Sequence, residues 1–194
     1  MELDESRSED YWAALRLARR WSHGTLRQAE RLRTELNRAS RAYEARKTPE
    51  FLTSDLLDIE DILDAAWIEQ HLLMVAAHQF DKWATRMLEA RGDISPKEND
   101  LHRLVRNSLE HLDEAVLADK EALPGPTGNS SLRRLPDSRL PLGVTVGEDK
   151  VMICDLVEVD EIEKRCIDLA EEIFDEEFDI DAAVDNYRDM QRGL

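Results

Sequence analysis

The chain is expected to be mainly α-helical, with three long helices, a small β-hairpin and one further helix. Three observations carry this expectation. Apolar or small residues recur at steps of three and four across two long stretches, the mark of a helix with one buried face. A third helix is announced by a start signal, Ser95-Pro96-Lys97-Glu98. The charged fraction of 36% against 42% apolar suits amphipathic helices with charged outer faces. A length of 194 residues fits one domain with a single core, expected over residues 8–178, with 179–194 an acidic tail or short helix.

The first stripe runs through Tyr11, Leu15, Ala18, Ser22, Leu26, Ala29, Leu32, Leu36, Ala39 and Tyr43. Gly24 lies inside it, where glycine costs about 1 kcal/mol relative to Ala and can mark a bend. Thr48-Pro49 ends the segment, because the residue before proline is pushed out of the helical region. The second stripe, from about Asp55 to Ala90, carries Leu56, Ile59, Leu63, Ala66, Leu73, Ala77, Phe80, Ala84 and Met87, and Gly92 supplies a stop. In the third helix Ser95 is the N-cap, Pro96 takes the first helical position and Glu98 completes a capping box. Its stripe, Leu101, Leu104, Val105, Leu109, Leu112 and Val116, extends the expected helix toward Pro124.

Residues 123–141 hold four prolines and two glycines, which predicts a mobile loop. Leu142–Val146 and Val151–Val157 are rich in β-branched residues and are separated by Gly147-Glu148-Asp149-Lys150, so the hairpin is expected over 142–157. Asp160, with Glu163 three residues on, caps the last helix, which should reach Phe174 or Phe178.

Charge and composition exclude several classes. No apolar run is long enough to cross a bilayer, and the opening Met1-Glu2-Leu3-Asp4-Glu5 lacks the regions of a signal peptide, so a cytoplasmic location away from membranes is expected. A net charge of −17 opposes broad nucleic-acid binding. The charge is uneven, however: residues 1–50 hold 11 Lys/Arg against 9 Asp/Glu, a net of +2, and residues 151–194 hold 4 against 15, a net of −11. The acidic end is either a solvated tail or a surface that meets basic groups, on a partner or on this chain. Cys154 and Cys166 cannot make a four-thiolate zinc site, and Cys166 shares an apolar stripe with Ile162, Leu169 and Ile173, which predicts a buried thiol.

One constellation carries chemistry: Arg106-Asn107-Ser108-Leu109-Glu110-His111. At about 100° per residue, Asn107 and His111 share a flank of the third helix and can touch, whereas Arg106 lies on the other flank. Histidine can accept or return a proton near neutral pH, arginine can stabilise negative charge on a phosphorane, and Asn107 can orient His111 or bind a phosphate oxygen. The same residues also read as a helix-surface Arg106–Glu110 pair beside a polar cluster of Asn107, His111 and Glu114. His71, His78 and Asp81 lack a metal-binding spacing and read as packing, and no glycine-rich phosphate loop or nucleophile elbow is present. Trp12, Trp21, Trp67 and Trp83 read as core or interface rather than as a platform for bases.

An arginine followed by asparagine, with histidine a fixed short distance on, late on a long helix, resembles the HEPN superfamily. Val105-Arg106-Asn107-Ser108-Leu109-Glu110-His111-Leu112-Asp113-Glu114 is similar to a bacterial branch with an Arg-Asn-x-x-Glu-His motif. The resemblance spans roughly residues 8–175, and its specific part is the motif itself. It implies a HEPN-like helical bundle, a homodimer that brings two motifs together, and metal-independent RNA cleavage in a toxin–antitoxin or phage-defence setting. Arg106, Asn107 and His111 would be the catalytic set, with no metal and no cofactor. Arg16, Arg20, Arg27 and Arg31, off the buried stripe of the first helix, are the candidate RNA-binding residues. The alternative is a non-catalytic interaction or regulatory protein whose acidic C-terminal part binds a basic partner, with a protein such as an antitoxin as a further candidate partner.

Overall fold

In the computed structural model, which describes residues 8–47, 54–92, 100–128, 130–143, 145, 150–169 and 171, the first helix is α1 (Glu9–Ala45). Ser8 is its N-cap, with its side-chain oxygen accepting from the Tyr11 amide at 3.3 Å, and Glu9 and Asp10 place negative charge on the positive end of the helix dipole. The helix runs unbroken through Gly24. It buries Tyr11, Leu15, Ala18, Ser22, Ala29, Leu32, Leu36 and Ala39 from the expected stripe. The second helix, α2 (Ser54–Arg91), is followed by Gly92 at a φ of +87°, a conformation that glycine adopts without strain.

The two long helices form an antiparallel pair. Arg86 reaches Asp10 at 2.5 Å near one end, and Gln28 donates to Glu69 farther along. Tyr11, Leu15, Met87 and Leu88 fill that end, while Ala29, Leu32, Leu36, Ala66, Leu73 and Phe80 belong to the main core. The helix over 159–169, here α4, lies against this pair. Ser22 Oγ donates to the Cys166 carbonyl at 3.1 Å, and Arg33 engages Glu163 at 2.5 Å as well as Asp160.

The third helix, α3 (Asp100–Glu110), packs on α2 through Leu104, Val105 and Leu109. Its expected start at Ser95 lies outside the described residues. Its end differs from expectation: the helix stops at Glu110, a single 3-10 turn follows over Leu112–Glu114, and the chain becomes extended. Strands β1 (Ala115–Ala118) and β2 (Glu121–Pro124) pair antiparallel, Val116 opposite Leu123, and β3 (Leu140–Pro141) adds to β2. Val116, expected on the buried helical stripe, is 48% exposed on an edge strand. Residues 123–141 are not an open loop: they make two 3-10 turns and a strand, with Leu132, Leu135 and Leu140 buried.

The hairpin placed over 142–157 is also corrected. Residues 144 and 146–149 lie outside the described part, and Val151–Val157 is not one strand but folds back on itself. Strand β4 (Met152–Ile153) pairs with β5 (Val157–Glu158) across a turn in which Cys154 and Asp155 have φ of 49° and 53°. Buried Gln70 of α2 fixes that turn, its side-chain oxygen accepting from the Cys154 amide at 3.2 Å. The mainly α fold with a small antiparallel strand region is therefore as expected, but with the strands differently placed.

Candidate functional site

The Arg106–His111 segment spans the point where α3 ends. The His111 amide still bonds to the Asn107 carbonyl at 3.2 Å, but His111 itself, at φ −114° and ψ 33°, has left the helix. Its ring therefore projects beyond the last turn, 55% exposed, with Nδ1 3.2 Å from Glu114 Oε1. Arg106 is held on the other side. Nη1 donates to Asn107 Oδ1 at 2.8 Å, and Nη2 lies 2.8 Å from Glu110 Oε1. Only 24% of the Arg106 side chain is exposed, and its Nε is buried without a hydrogen-bond partner among the described residues. Asn107 thus orients Arg106, and Glu114 is the side chain on His111 Nδ1.

Two features not read from the sequence complete the site. His71 of α2 approaches the end of α3, its ring beside the backbone of Leu109 and Trp67 and its centroid 4.2 Å from that of the Trp67 ring. Burial lowers its pKa below the ordinary value, outweighing the two carbonyls and the Glu110 charge, which favour the protonated ring. The spacing from His71 to His78 invited a metal test, which hid its role as a neighbour of the motif. The second feature is the Gly125–Gly128 loop, which wraps Glu114. A Cβ at Gly125 would come within 2.5 Å of the Glu114 carbonyl oxygen, and one at Gly128 within 2.5 Å of its carboxylate. Arg133 anchors the loop by donating to the Gly125 carbonyl at 2.6 Å. The glycines that read as loop punctuation are needed so that this backbone can close on Glu114.

Arg16, Arg20, Arg27 and Arg31 are all exposed on α1. They lie opposite the stripe that packs on α2, and among the described residues no hydrogen bond or ion pair links them to Arg106, Asn107 or His111. A second polar set is internal. Asp81 of α2 takes His102 Nδ1 of α3 at 2.9 Å, and Arg165 Nε of α4 lies 3.0 Å from its other oxygen, close enough for an ion pair though not aligned as a hydrogen bond. A groove of about 360 Å³ beside it, between α2 and α4, is lined by apolar Phe80, Ala84, Leu88 and Leu169 and by two charges of each sign, Lys164 and Arg165 with Glu161 and Asp168. Cys154 and Cys166 are buried free thiols, each pushed up to about 12 chiefly by burial. Among the described residues no helix is long and apolar enough to cross a membrane, and no three His, Cys, Asp or Glu side chains are grouped to hold a metal.

The fold and the site define a mainly α-helical domain whose third helix ends in an Arg-Asn-x-x-Glu-His segment, with Arg106 and Asn107 part-buried and Glu110 and His111 exposed. Comparison with family models, curated proteins and solved structures finds no match for the chain.

Proposed function

We propose that the chain is a HEPN-type endoribonuclease that acts as a homodimer without a metal, in a toxin–antitoxin or phage-defence setting. The observation that supports this best is the arrangement at the end of α3. His111 is open to solvent, Arg106 is pre-oriented by Asn107 and Glu110, and the two are close in sequence without touching each other. That is what a composite site needs: a histidine and an arginine available at a surface where a second copy can add its own pair. Exposed apolar side chains stand at Ile68 (51%) and Leu72 (46%) on α2, on either side of His71 in sequence, and at Leu117 (63%) on β1, and the proposed dimer gives such side chains a surface to cover them.

In the proposed reaction a ribose 2′-hydroxyl attacks the adjacent phosphorus. The new O2′–P bond forms, the P–O5′ bond breaks, and a 2′,3′-cyclic phosphate and a 5′-hydroxyl result. His111 takes the 2′ proton, and a second His111 returns one to the leaving oxygen. Arg106 stabilises the charge that builds on the phosphorane. The Arg106–Glu110 contact does not forbid this: the Glu110 carboxylate is 38% exposed, ion pairs that reach water are worth about 0–1 kcal/mol, and a phosphate can displace it.

Cleavage of single-stranded and structured RNAs, in chelator and with 2′-deoxy controls, tests the reading. His111→Ala should lower the rate about 10²–10⁴-fold and Arg106→Ala about 10²–10³-fold. Sedimentation should show a dimer, and a strictly monomeric chain at tens of micromolar would defeat the composite site. The second reading, a non-catalytic protein that binds a basic partner, draws support from the acidic exposed side chains Glu161, Asp168 and Glu171 on and just after α4. It predicts an inert wild type and a complex that salt dissolves.

A further inference from the structure

Between residues 16 and 41, eight positions of α1 fall in one wedge of about 80°, at about 100° per residue. They are Arg16, Arg20, His23, Arg27, Arg31, Thr34, Arg38 and Arg41, and every one is exposed. Six are arginine and none is acidic, in a chain with 43 acidic against 26 basic residues. A solvated face of that composition would be mostly carboxylate, so ordinary solvation does not account for it. The nearest flanking acid, Glu30, lies about 60° off the ridge centre. The ridge is opposite the buried stripe, and it is about 37 Å long at 1.5 Å per residue. Among the described residues Arg16, Arg20, Arg31 and Arg41 have no ion-pair partner, and Arg38 alone has one on α1, Glu35 at 2.6 Å.

We propose that this ridge is a docking surface for the phosphate backbone of double-stranded RNA, bound without regard to base sequence. The choice of RNA rests on the ribonuclease reading; the choice of a duplex rests on the shape and chemistry of the ridge. It is convex, no described element stands opposite it and it carries no Phe, Tyr or Trp side chain, so it lacks the broad stacking platform on which single strands are held. Arginine presents a planar fork that matches phosphate oxygens, and all six cations are arginine rather than lysine. A duplex offers one phosphate charge per roughly 1.7 Å of axis, already ordered, so a straight rod can run beside on the order of twenty of them. Because the ridge lies on the face of α1 opposite its buried stripe, and no hydrogen bond or ion pair among the described residues links it to Arg106 or His111, it recruits or retains a stem while cleavage falls on another part of the same RNA or is performed by the second copy.

The test is fluorescence anisotropy with a labelled twenty-base-pair RNA duplex and the full chain carrying His111→Ala, so that the probe survives. Binding should fall with salt at a log–log slope of about −5 for six phosphate contacts, and replacing Arg16, Arg20, Arg27 and Arg31 with Gln should leave a slope of about −2. Affinity in low salt should drop at least tenfold. The same four positions changed to Lys should keep the slope, which separates loss of charge from damage to the helix. The proposal is overturned if the wild ridge binds no duplex in low salt, if the Gln set binds as well as the parent, or if the Lys set is as weak as the Gln set. It is also overturned if a single strand or a DNA duplex of equal length binds more tightly, or if polyglutamate displaces the probe more effectively than unlabelled duplex does. Binding lost while the parent chain still cleaves defeats the docking surface alone. Binding intact in a chain that never cleaves defeats the ribonuclease reading alone.

Discussion

Helix α3 carries a histidine near each end, and each has a carboxylate on Nδ1, yet the two settings have little else in common. The His102 side chain is 5% exposed and meets an Asp81 that is 1% exposed, whereas His111 is 55% exposed and meets a half-open Glu114. At the inner site Asp81 draws in a side chain from each of two further helices, so the cluster fastens α2, α3 and α4 together. At the outer site the ion pairs of Arg106 with Glu110 and of His111 with Glu114 are local, within four residues along the chain. The same groups thus serve opposite ends: burial turns an aspartate–histidine–arginine set into a fastener, and exposure leaves a glutamate–histidine pair at the surface, where the proposed reaction needs it.

Removing one partner from each set sharpens this comparison. Asp81→Ala takes the carboxylate from the buried His102 and from Arg165, whose side chain is 32% exposed, and removing one partner of a buried ion pair typically costs about 3–5 kcal/mol, less where the other partner reaches water. Urea unfolding should show that loss, while His111→Ala and Arg106→Ala stay within about 0.5–1 kcal/mol of the parent. The two sites are not what we describe if His111→Ala unfolds the chain while Asp81→Ala leaves the urea midpoint in place.

A smaller effect is expected where the outer site touches its support. Gly128 has a φ of +103° and no room for a Cβ against the Glu114 carboxylate. Gly128→Ala adds backbone strain, of order 1–3 kcal/mol, and it pushes Glu114 from His111. A stability loss in this range with a displaced His111 ring resonance is the expected result. Unchanged stability would show that the loop does not clamp Glu114.

The same contrast of long-range and local order explains what could be read in the sequence. The long stripes of α1 and α2 each average over many turns, so the buried positions stand out and the bounds fall within about two residues. The end of α3 has no such redundancy. Leu112 and Val116 continue the helical spacing and Ala115 to Ala118 have no strand signature, but Asp119 and Lys120 turn the chain at φ of 50° and 64° without the Asn-Gly or Asp-Gly pair that marks such turns. The β4–β5 turn is likewise set by a distant residue, Gln70, which no local pattern can show. Arg106, Asn107 and His111 could be picked out because their types and spacing are visible. The nearness of Glu114 to His111 is legible too, but that Asn107 serves Arg106, and that His71 belongs beside them, depends on where the helix stops.

The smallest effect concerns His71, which stands between the two settings, half-buried and one helix away from the motif. Burial holds its pKa below the ordinary 6.5, so the folded chain resists a proton that the unfolded chain accepts. Above pH 6.5 the ring is neutral in both states and contributes no pH dependence. As pH falls through 6.5 the unfolded state gains the proton first, and stability drops until the folded pKa is reached, by at most about 1.4 kcal/mol per pH unit from this one group. Asp10 does not confuse the window: its hydrogen bond to Arg86 lowers its pKa, so its contribution is lost only on acidification below the ordinary carboxylate range. Urea midpoints at pH 7.5 and 5.5 should therefore differ more in the parent than in His71→Gln, which keeps a donor at this position but does not titrate. Glu110→Gln should widen the difference, because the Glu110 charge opposes the lowering. Equal pH slopes in the parent and in His71→Gln would mean that His71 is not held neutral beside α3, and that the motif's flank is as open as His111 itself.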